Sequence, residues 1–280
     1  MTTVSAQEKF ITINGVKLHY LDWGTEGKMP LVCLHAHTMT AHLWDDFAES
    51  MSPHFHVFAL DQRGHGDSEW SSAGYARDRF VEDLAAFVDE LGLSTFVLAG
   101  SSMGGWNSIL YTPDHQDRVD RVILVDIAPE ASPEMQATMQ DRPPTPMEFV
   151  SLESAMAWLR SGNPWISDAR LRDDAAARLK QCDDGRWTWK ADPALFNVRL
   201  PDMTEPSMVD RYWSAFEKIT CPVMLVRGKE SILVGDQTVE RMKQVGKQFS
   251  AVDVSEAGHL VTVDKPHQFI EVTRPFLGLS

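Results

Sequence analysis

The sequence predicts an α/β fold: a mostly parallel, doubly wound sheet with an inserted helical lid. Three observations carry that prediction. Short apolar runs rich in Val, Leu and Ile recur along the chain with helical-period stretches between them, as expected of parallel strands covered on both faces. A hairpin pattern stands before the first of these runs. The alternation breaks once, at Ala128-Pro129, and resumes near residue 217.

The elements follow in order. Residues 10–13, Asn14-Gly15 and residues 16–21 read as a β-hairpin with a two-residue turn. Leu31-Val32-Cys33-Leu34 is the first continuous apolar strand; it ends in His35-Ala36-His37-Thr38, and a short helix is expected over residues 43–50. His56–Leu60 is the next strand, closed by Asp61-Gln62-Arg63-Gly64-His65-Gly66-Asp67-Ser68, a loop dense in turn formers. Phe80, Leu84, Phe87, Val88 and Leu91 recur at the helical period within residues 79–91. Strands are expected at 95–99 and 122–127, with Met103–Tyr111 a helix between them. After the break, residues 222–227 form a strand, Asp236–Val245 an amphipathic helix and Phe249–Val254 the last strand. Residues 265–276 close the chain as a helix, with Pro266 suited to its first turn.

Residues 129–216 lack a clear buried strand and are rich in Met and Trp, including Met135, Met139, Met147, Met156, Trp158, Trp165, Trp187, Trp189, Met203, Met208 and Trp213. Most of these side chains are expected to form the core of a small helical subdomain, though such residues also suit an adaptable apolar pocket. Pro143-Pro144-Thr145-Pro146 reads as an extended hinge-like link. The organisation is therefore core 1–128, lid 129–216 and core 217–280.

With 280 residues the chain can bury one large α/β core, and 43% hydrophobic and 24% charged content is that of an ordinary globular protein. A net charge of −14 argues against a nucleic-acid or anionic-membrane surface, either of which needs a basic footprint. Cys33, Cys182 and Cys221 cannot all pair and show no metal-ligand spacing; Cys33 and Cys221 read as buried thiols. No apolar leader and no bilayer-length stretch appear, so a cytoplasmic protein is expected.

Chemistry concentrates at Gly100-Ser101-Ser102-Met103-Gly104, where an apolar strand meets a helix. Gly-x-Ser-x-Gly at such a junction holds a serine on a tight turn that side chains at the glycine positions would obstruct. The turn lifts the Ser102 hydroxyl above the sheet edge and places the Met103 N–H at a helix N-terminus, where developing negative charge is stabilised. A serine is a weak nucleophile at neutral pH and needs a base. His259, beside Gly258 in a turn after the last strand, is the candidate.

In order along the chain, His35-Ala36-His37-Thr38, Asp61-Gln62-Arg63-Gly64-His65-Gly66-Asp67-Ser68, Gly100–Gly104 and Gly258-His259 resemble four landmarks of the α/β-hydrolases. These are a His-Gly turn, an Asp-x-Arg-Gly-x-Gly-x-Ser loop, the nucleophile elbow and the late histidine turn, and the resemblance spans nearly the whole chain apart from the lid. It implies Ser102 as nucleophile, His259 as base, and the backbone N–H groups of His37 and Met103 as oxyanion hole. Two departures stand out. Ala36 replaces the glycine of the first turn and would restrict its conformation. The acid common in the family after residues 223–227 is absent, since Ser231 stands there in Gly228-Lys229-Glu230-Ser231. Asp126 is then the candidate acid, as in relatives that place it after the earlier strand. Glu230 is the alternative and Asp236 more distant; Asp126 otherwise caps a turn.

The function expected is cleavage of a carboxylic ester or related acyl bond of a small molecule through an acyl-enzyme, without cofactor or metal. The alternatives are a C–C, enamide or lactone hydrolase of aromatic catabolism, or a hydrolase-like receptor with slow turnover. Dehalogenase and epoxide hydrolase chemistry would need an aspartate at position 102, and no interfacial helix or secretion signal supports a lipase. His37, Trp106, Trp158 and Trp187 are candidates to contact substrate, His37 alternatively being a solvated loop residue. Arg160, Arg170, Arg172, Arg178 and Arg199 in the lid would favour an anionic substrate unless they face solvent. A metal site from His35 and His37 lacks further ligands nearby. The partner expected is a small molecule, with neither nucleic acid nor membrane, and with a homodimer as the alternative to a monomer.

Overall fold

The computed structural model describes residues 5–24, 26–140, 144–196 and 205–280. Pro143, Arg199 and Met203, and the side chain of Met139, lie outside the described residues.

β1 (Gln7–Ile13) and β2 (Val16–Trp23) form the expected hairpin, with Ile13 opposite Val16. Asn14 and Gly15 turn between them at φ 50° and 73°, the left-handed pair that matches the twist of the strands. β3 (Pro30–Leu34) leads through a 3-10 turn (Ala41–Trp44) to α1 (Asp45–Met51). Then come β4 (His56–Leu60), α2 (Arg77–Glu90), β5 (Phe96–Ser101), α3 (Met103–Tyr111) and β6 (Val119–Val125). An excursion follows: α4 (Pro133–Gln140), β7 (Glu148–Phe149), α5 (Leu152–Gly162), α6 (Asp168–Arg178), β8 (Leu179–Gln181), β9 (Trp187–Trp189) and α7 (Pro193–Phe196). α8 (Pro206–Lys218), β10 (Val223–Gly228), α9 (Asp236–Val245), β11 (Phe249–Val254), α10 (Val261–Asp264) and α11 (Pro266–Thr273) complete the chain.

The eight-stranded sheet runs β1-β2-β4-β3-β5-β6-β10-β11. β1, β2 and β4 pair antiparallel in turn, and every later pairing is parallel. Successive strand residues feed opposite faces: Val32, Leu98 and Leu124 join one core with α2, α3 and α8, while Cys33, Val97 and Ile123 join the other with α1 and α11. Burial on both faces explains why these strands read as unbroken apolar runs.

The strand order reverses between β3 and β5. In open α/β sheets, that switch leaves a crevice beyond the carboxyl ends of the strands. Leu34 pairs with Gly100, Ser101 with Val125, Val125 with Val226, and Gly228 with Val254. The loops after β3, β5, β6, β10 and β11 therefore emerge along one edge.

Within the excursion, β7, β9 and β8 form a small antiparallel sheet that the sequence pattern does not reveal. Strands of two or three residues are too short to show a period. α8 packs on the main core: Tyr212, Trp213 and Phe216 are buried there, and Tyr212 stacks on Trp106 with ring centroids 5.4 Å apart. Among the described residues, no helix is long and apolar enough to cross a membrane.

Candidate active site

Ser102 sits between β5 and α3 at φ 49° and ψ −112°, a conformation that costs a residue with a Cβ on the order of 1–3 kcal/mol. It is held by backbone bonds on both sides: its N–H donates to Val125 O at 3.1 Å and its C=O accepts from Trp106 N at 3.0 Å. The glycines permit the close approach that forms the turn. A Cβ on Gly104 would lie 2.3 Å from Leu34 O, and one on Gly100 would lie 2.4 Å from Gly104 O. From residue 96 to residue 112 every position is buried except Ser102. Met103 opens α3, so its N–H is among those with no acceptor inside the helix.

Asp126 follows β6, fully buried and at φ 45°. Three donors converge on its carboxylate. Gly228 N–H donates to Oδ1 at 3.2 Å; the Ser231 hydroxyl and His259 Nδ1 both reach Oδ2, at 2.5 and 2.7 Å. A buried carboxylate with this many donors is compensated for its lost hydration. Glu230 is exposed, and its backbone N–H is bonded to Ala257 O at 3.0 Å; Asp236 pairs with Arg227 at 2.6 Å. Asp126 is thus the carboxylate that meets His259 among the described residues. Ser231 serves that carboxylate as a donor. Ser231 stands in the loop after β10 where the family commonly carries the acid, and that departure is the signal in the sequence.

The loop after β4 is a brace. Asp61, buried, accepts from Ala41 N (2.6 Å), His19 Nδ1 (2.7 Å) and Asp67 N (3.0 Å). Arg63 makes a buried two-pronged pair with Asp83, both contacts 2.6 Å. Gln62 joins this loop to the one after β3: its N–H donates to His35 Nε2 and its side chain to His35 O, each at 2.9 Å. Asn107 of α3 donates in turn to Gln62 Oε1 at 2.6 Å. With Nε2 accepting, the His35 proton is on Nδ1, which donates to Ala36 O at 2.8 Å. Burial pushes the His35 pKa below its ordinary value, and the His65 pKa well below it. His19, Asp61 and Asp67 bring ligand-type atoms within 4.8 Å of one another, but the bonds just described occupy Asp61, and Asp67 pairs with Lys190 at 2.8 Å.

Ala36 does not need a positive φ in the loop after β3. The left-handed residue is Thr38, at φ 59°. The His37 ring neither hangs in solvent nor stands clear for a ligand, since Nε2 donates to Leu195 O of α7 at 3.0 Å. Met103 packs nearby with Phe80, Ala191 and Leu195.

The tryptophans have structural partners. Trp106 is buried, with Nε1 donating to Ala128 O at 2.9 Å. Trp158 packs edge-on against Trp189 and beside Phe149, and Trp187 lies half-buried on β9 at the same cluster. The excursion's arginines are also engaged. Arg160 pairs with Asp168, Arg170 with Asp46, and Arg178 with Asp174, while Arg178 also donates to Thr38 O at 3.2 Å. Arg172 is exposed.

A family model for the alpha/beta hydrolase fold matches residues 29–266. The chain belongs to that family. This hydrolase is 28% identical over 274 residues to a 3-hydroxybutyrate-oligomer hydrolase of Cupriavidus necator, covering 94% of this chain and 93% of the relative. It is 27% identical over 266 residues to an esterase of Mycobacterium tuberculosis, covering 92% and 85%. The solved structure of an E-2-(acetamidomethylene)succinate hydrolase superposes with a TM-score of 0.84 over 98% of this hydrolase and 99% of that chain; at 22% identity, this likeness concerns the fold.

Proposed function

We propose that this hydrolase cleaves a carboxylic ester of a small molecule through an acyl-enzyme on Ser102. The observation that carries the reading is the 2.7 Å bond from His259 Nδ1 to the buried Asp126 carboxylate. It assigns the ring's remaining proton to Nδ1 and leaves Nε2 with a lone pair, as a general base requires. The strained backbone at Ser102 and the helix-start N–H of Met103, which has no acceptor within α3, support the same reading.

Ser102 Oγ attacks the ester carbonyl as its proton passes to His259 Nε2. Asp126 stabilises the imidazolium, and the N–H groups of Met103 and His37 receive the oxyanion. The C–O bond breaks, and the leaving alkoxide takes the proton from Nε2. Water, deprotonated by the same nitrogen, then attacks the acyl-enzyme, and Ser102 recovers its proton as the carboxylic acid leaves. The lid over Ser102 is the described part of the excursion, α4 to α7, rather than the whole of 129–216, since α8 packs on the main core; the Trp158 and Trp187 cluster is the candidate wall of the acyl pocket.

Turnover of p-nitrophenyl acetate and butyrate by wild type, set against Ser102→Ala, tests this. Loss of on the order of 10⁴-fold or more in kcat with an unchanged melting temperature is expected. Retained turnover would sink the assignment. Assaying an enamide in parallel separates ester from amide preference; the relatives with esterase names favour the ester.

A further inference from the structure

We propose that Asp264 is a positioning residue that ties the His259 turn to the excursion, through Gly258 on one carboxylate oxygen and Asn163 on the other. The inference rests on the reading of His259 as the general base and extends it to what holds that base in place.

Asp264 ends α10, five residues beyond His259, and its side chain folds back toward the turn. Oδ2 accepts the Gly258 N–H at 2.9 Å, and Oδ1 accepts Asn163 Nδ2 at 2.6 Å. Asp264 is only 6% exposed. Asn163 is well placed to serve as the other jaw. It caps the C-terminus of α5, with its own N–H bonded to Leu159 O and Arg160 O, and its Oδ1 accepts from Trp165 N at 3.2 Å. That last bond orients the amide so that Nδ2 faces Asp264.

Trp165 is part of the same contact. A Cβ on Gly258 would stand 2.9 Å from Trp165 Cδ1, so the indole edge lies on the backbone just before His259. On the opposite side, the turn rests on β10, where a Cβ on Gly228 would be 1.9 Å from Gly258 O. The His259 backbone is thus gripped between the sheet and the excursion, and the Asp264 carboxylate is the group common to both the turn's hydrogen bond and the excursion's. Other charges are near. Lys265 pairs with Glu256 at 2.9 Å, and Lys265, His267, Arg170, Asp46 and Asp173 line the groove that Asp264 shares.

A buried carboxylate accepting two charge-assisted bonds holds its donors more firmly than a neutral group would. Movement of α5 away from the core must first break the Asn163 arm. That releases one side of Asp264 and loosens the Gly258 amide. The state of the excursion is thereby communicated to the ring that meets Asp126.

The test is steady-state kinetics on p-nitrophenyl butyrate for Asn163→Ala, Asp264→Ala and the double variant, each checked by thermal melting. Asn163→Ala, which frees one arm only, should lower kcat about threefold and raise KM about fivefold. Asp264→Ala should lower kcat at least tenfold as well, and the double variant should match Asp264→Ala, because both act through one carboxylate. All variants within twofold of wild type, or losses that simply multiply, would overturn the proposal while the Ser102 reading stands. Amide hydrogen exchange at residues 256–260 judges it independently of turnover. Exchange should accelerate about tenfold in Asp264→Ala and about threefold in Asn163→Ala. Unchanged exchange in Asn163→Ala overturns the coupling even if Ser102→Ala shows the esterase reading to be wrong.

Discussion

Ser231 donates its hydroxyl to Oδ2 of Asp126 at 2.5 Å, the same oxygen that receives the His259 ring. A residue that sequence comparison marks as a missing acid is therefore a partner of the acid that is present. Asp126 directly follows β6 and Ser231 lies in the loop after β10, and these neighbouring strands are parallel, so an acid after either strand can address the same point at the sheet edge.

Removing that hydroxyl leaves a buried carboxylate one donor short. Ser231→Ala should lower stability by about 1–3 kcal/mol, measured by urea unfolding, and reduce kcat without abolishing it. Ser231→Thr keeps the hydroxyl and should stay close to wild type. Equal behaviour of the two variants would show that the bond contributes nothing.

Asp126→Asn keeps the shape but takes away the charge that fixes the imidazole, and should cost on the order of 10⁴-fold in kcat on p-nitrophenyl butyrate. Glu230→Gln, at an exposed position, should remain within about twofold. The reverse ranking would move the acid to Glu230.

Gly104→Ala places a methyl 2.3 Å from the Leu34 carbonyl, a backbone atom that cannot rotate aside. The expected result is a loss of about 3 kcal/mol or failure to accumulate as folded protein, read by melting and soluble yield. Wild-type stability in this variant would mean that the elbow is looser than described.

Burial holds the His65 imidazole well below its ordinary pKa of 6.5, assisted by His35 and His37 nearby. Below pH 6.5 the unfolded chain takes up a proton at this position that the folded protein does not, so the stability it contributes is lost as pH falls. His65→Gln should flatten the decline of unfolding free energy between about pH 6.5 and 5, by up to about 1.4 kcal/mol per pH unit. An unchanged slope would show that the buried ring is not the titrating group.

Asp264 works with the opposite sign. Burial raises its carboxyl to about 6 from 3.8. Folded protein then keeps a proton that the unfolded chain has released, so stability falls as pH rises through roughly 4 to 6 and is level above. Replacing Asp264 by Asn removes the titration. The stability of wild type relative to this variant should drop by up to about 3 kcal/mol across that window, measured by denaturant unfolding at pH 4, 5, 6 and 7.

Local patterning was enough to establish the strands and most helices of the core, the Asn14-Gly15 turn, the Gly-Ser-Gly junction and the acidic, α/β character of the chain. These depend on spacing within a few residues, where sequence and structure are directly linked. Strands of two or three residues in the excursion escaped because they are shorter than any period. The meeting of His259 with Asp126 could not be read locally either. The two residues are 133 positions apart, and Ser231 is 105 from Asp126. Only the parallel register of β6, β10 and β11 brings them to one edge. The same holds for the His37 ring on Leu195, the Trp106 indole on Ala128, and the Asp264 carboxylate between Gly258 and Asn163. Each polar side chain takes the partner that burial leaves within reach, and which group that is depends on how distant segments pack.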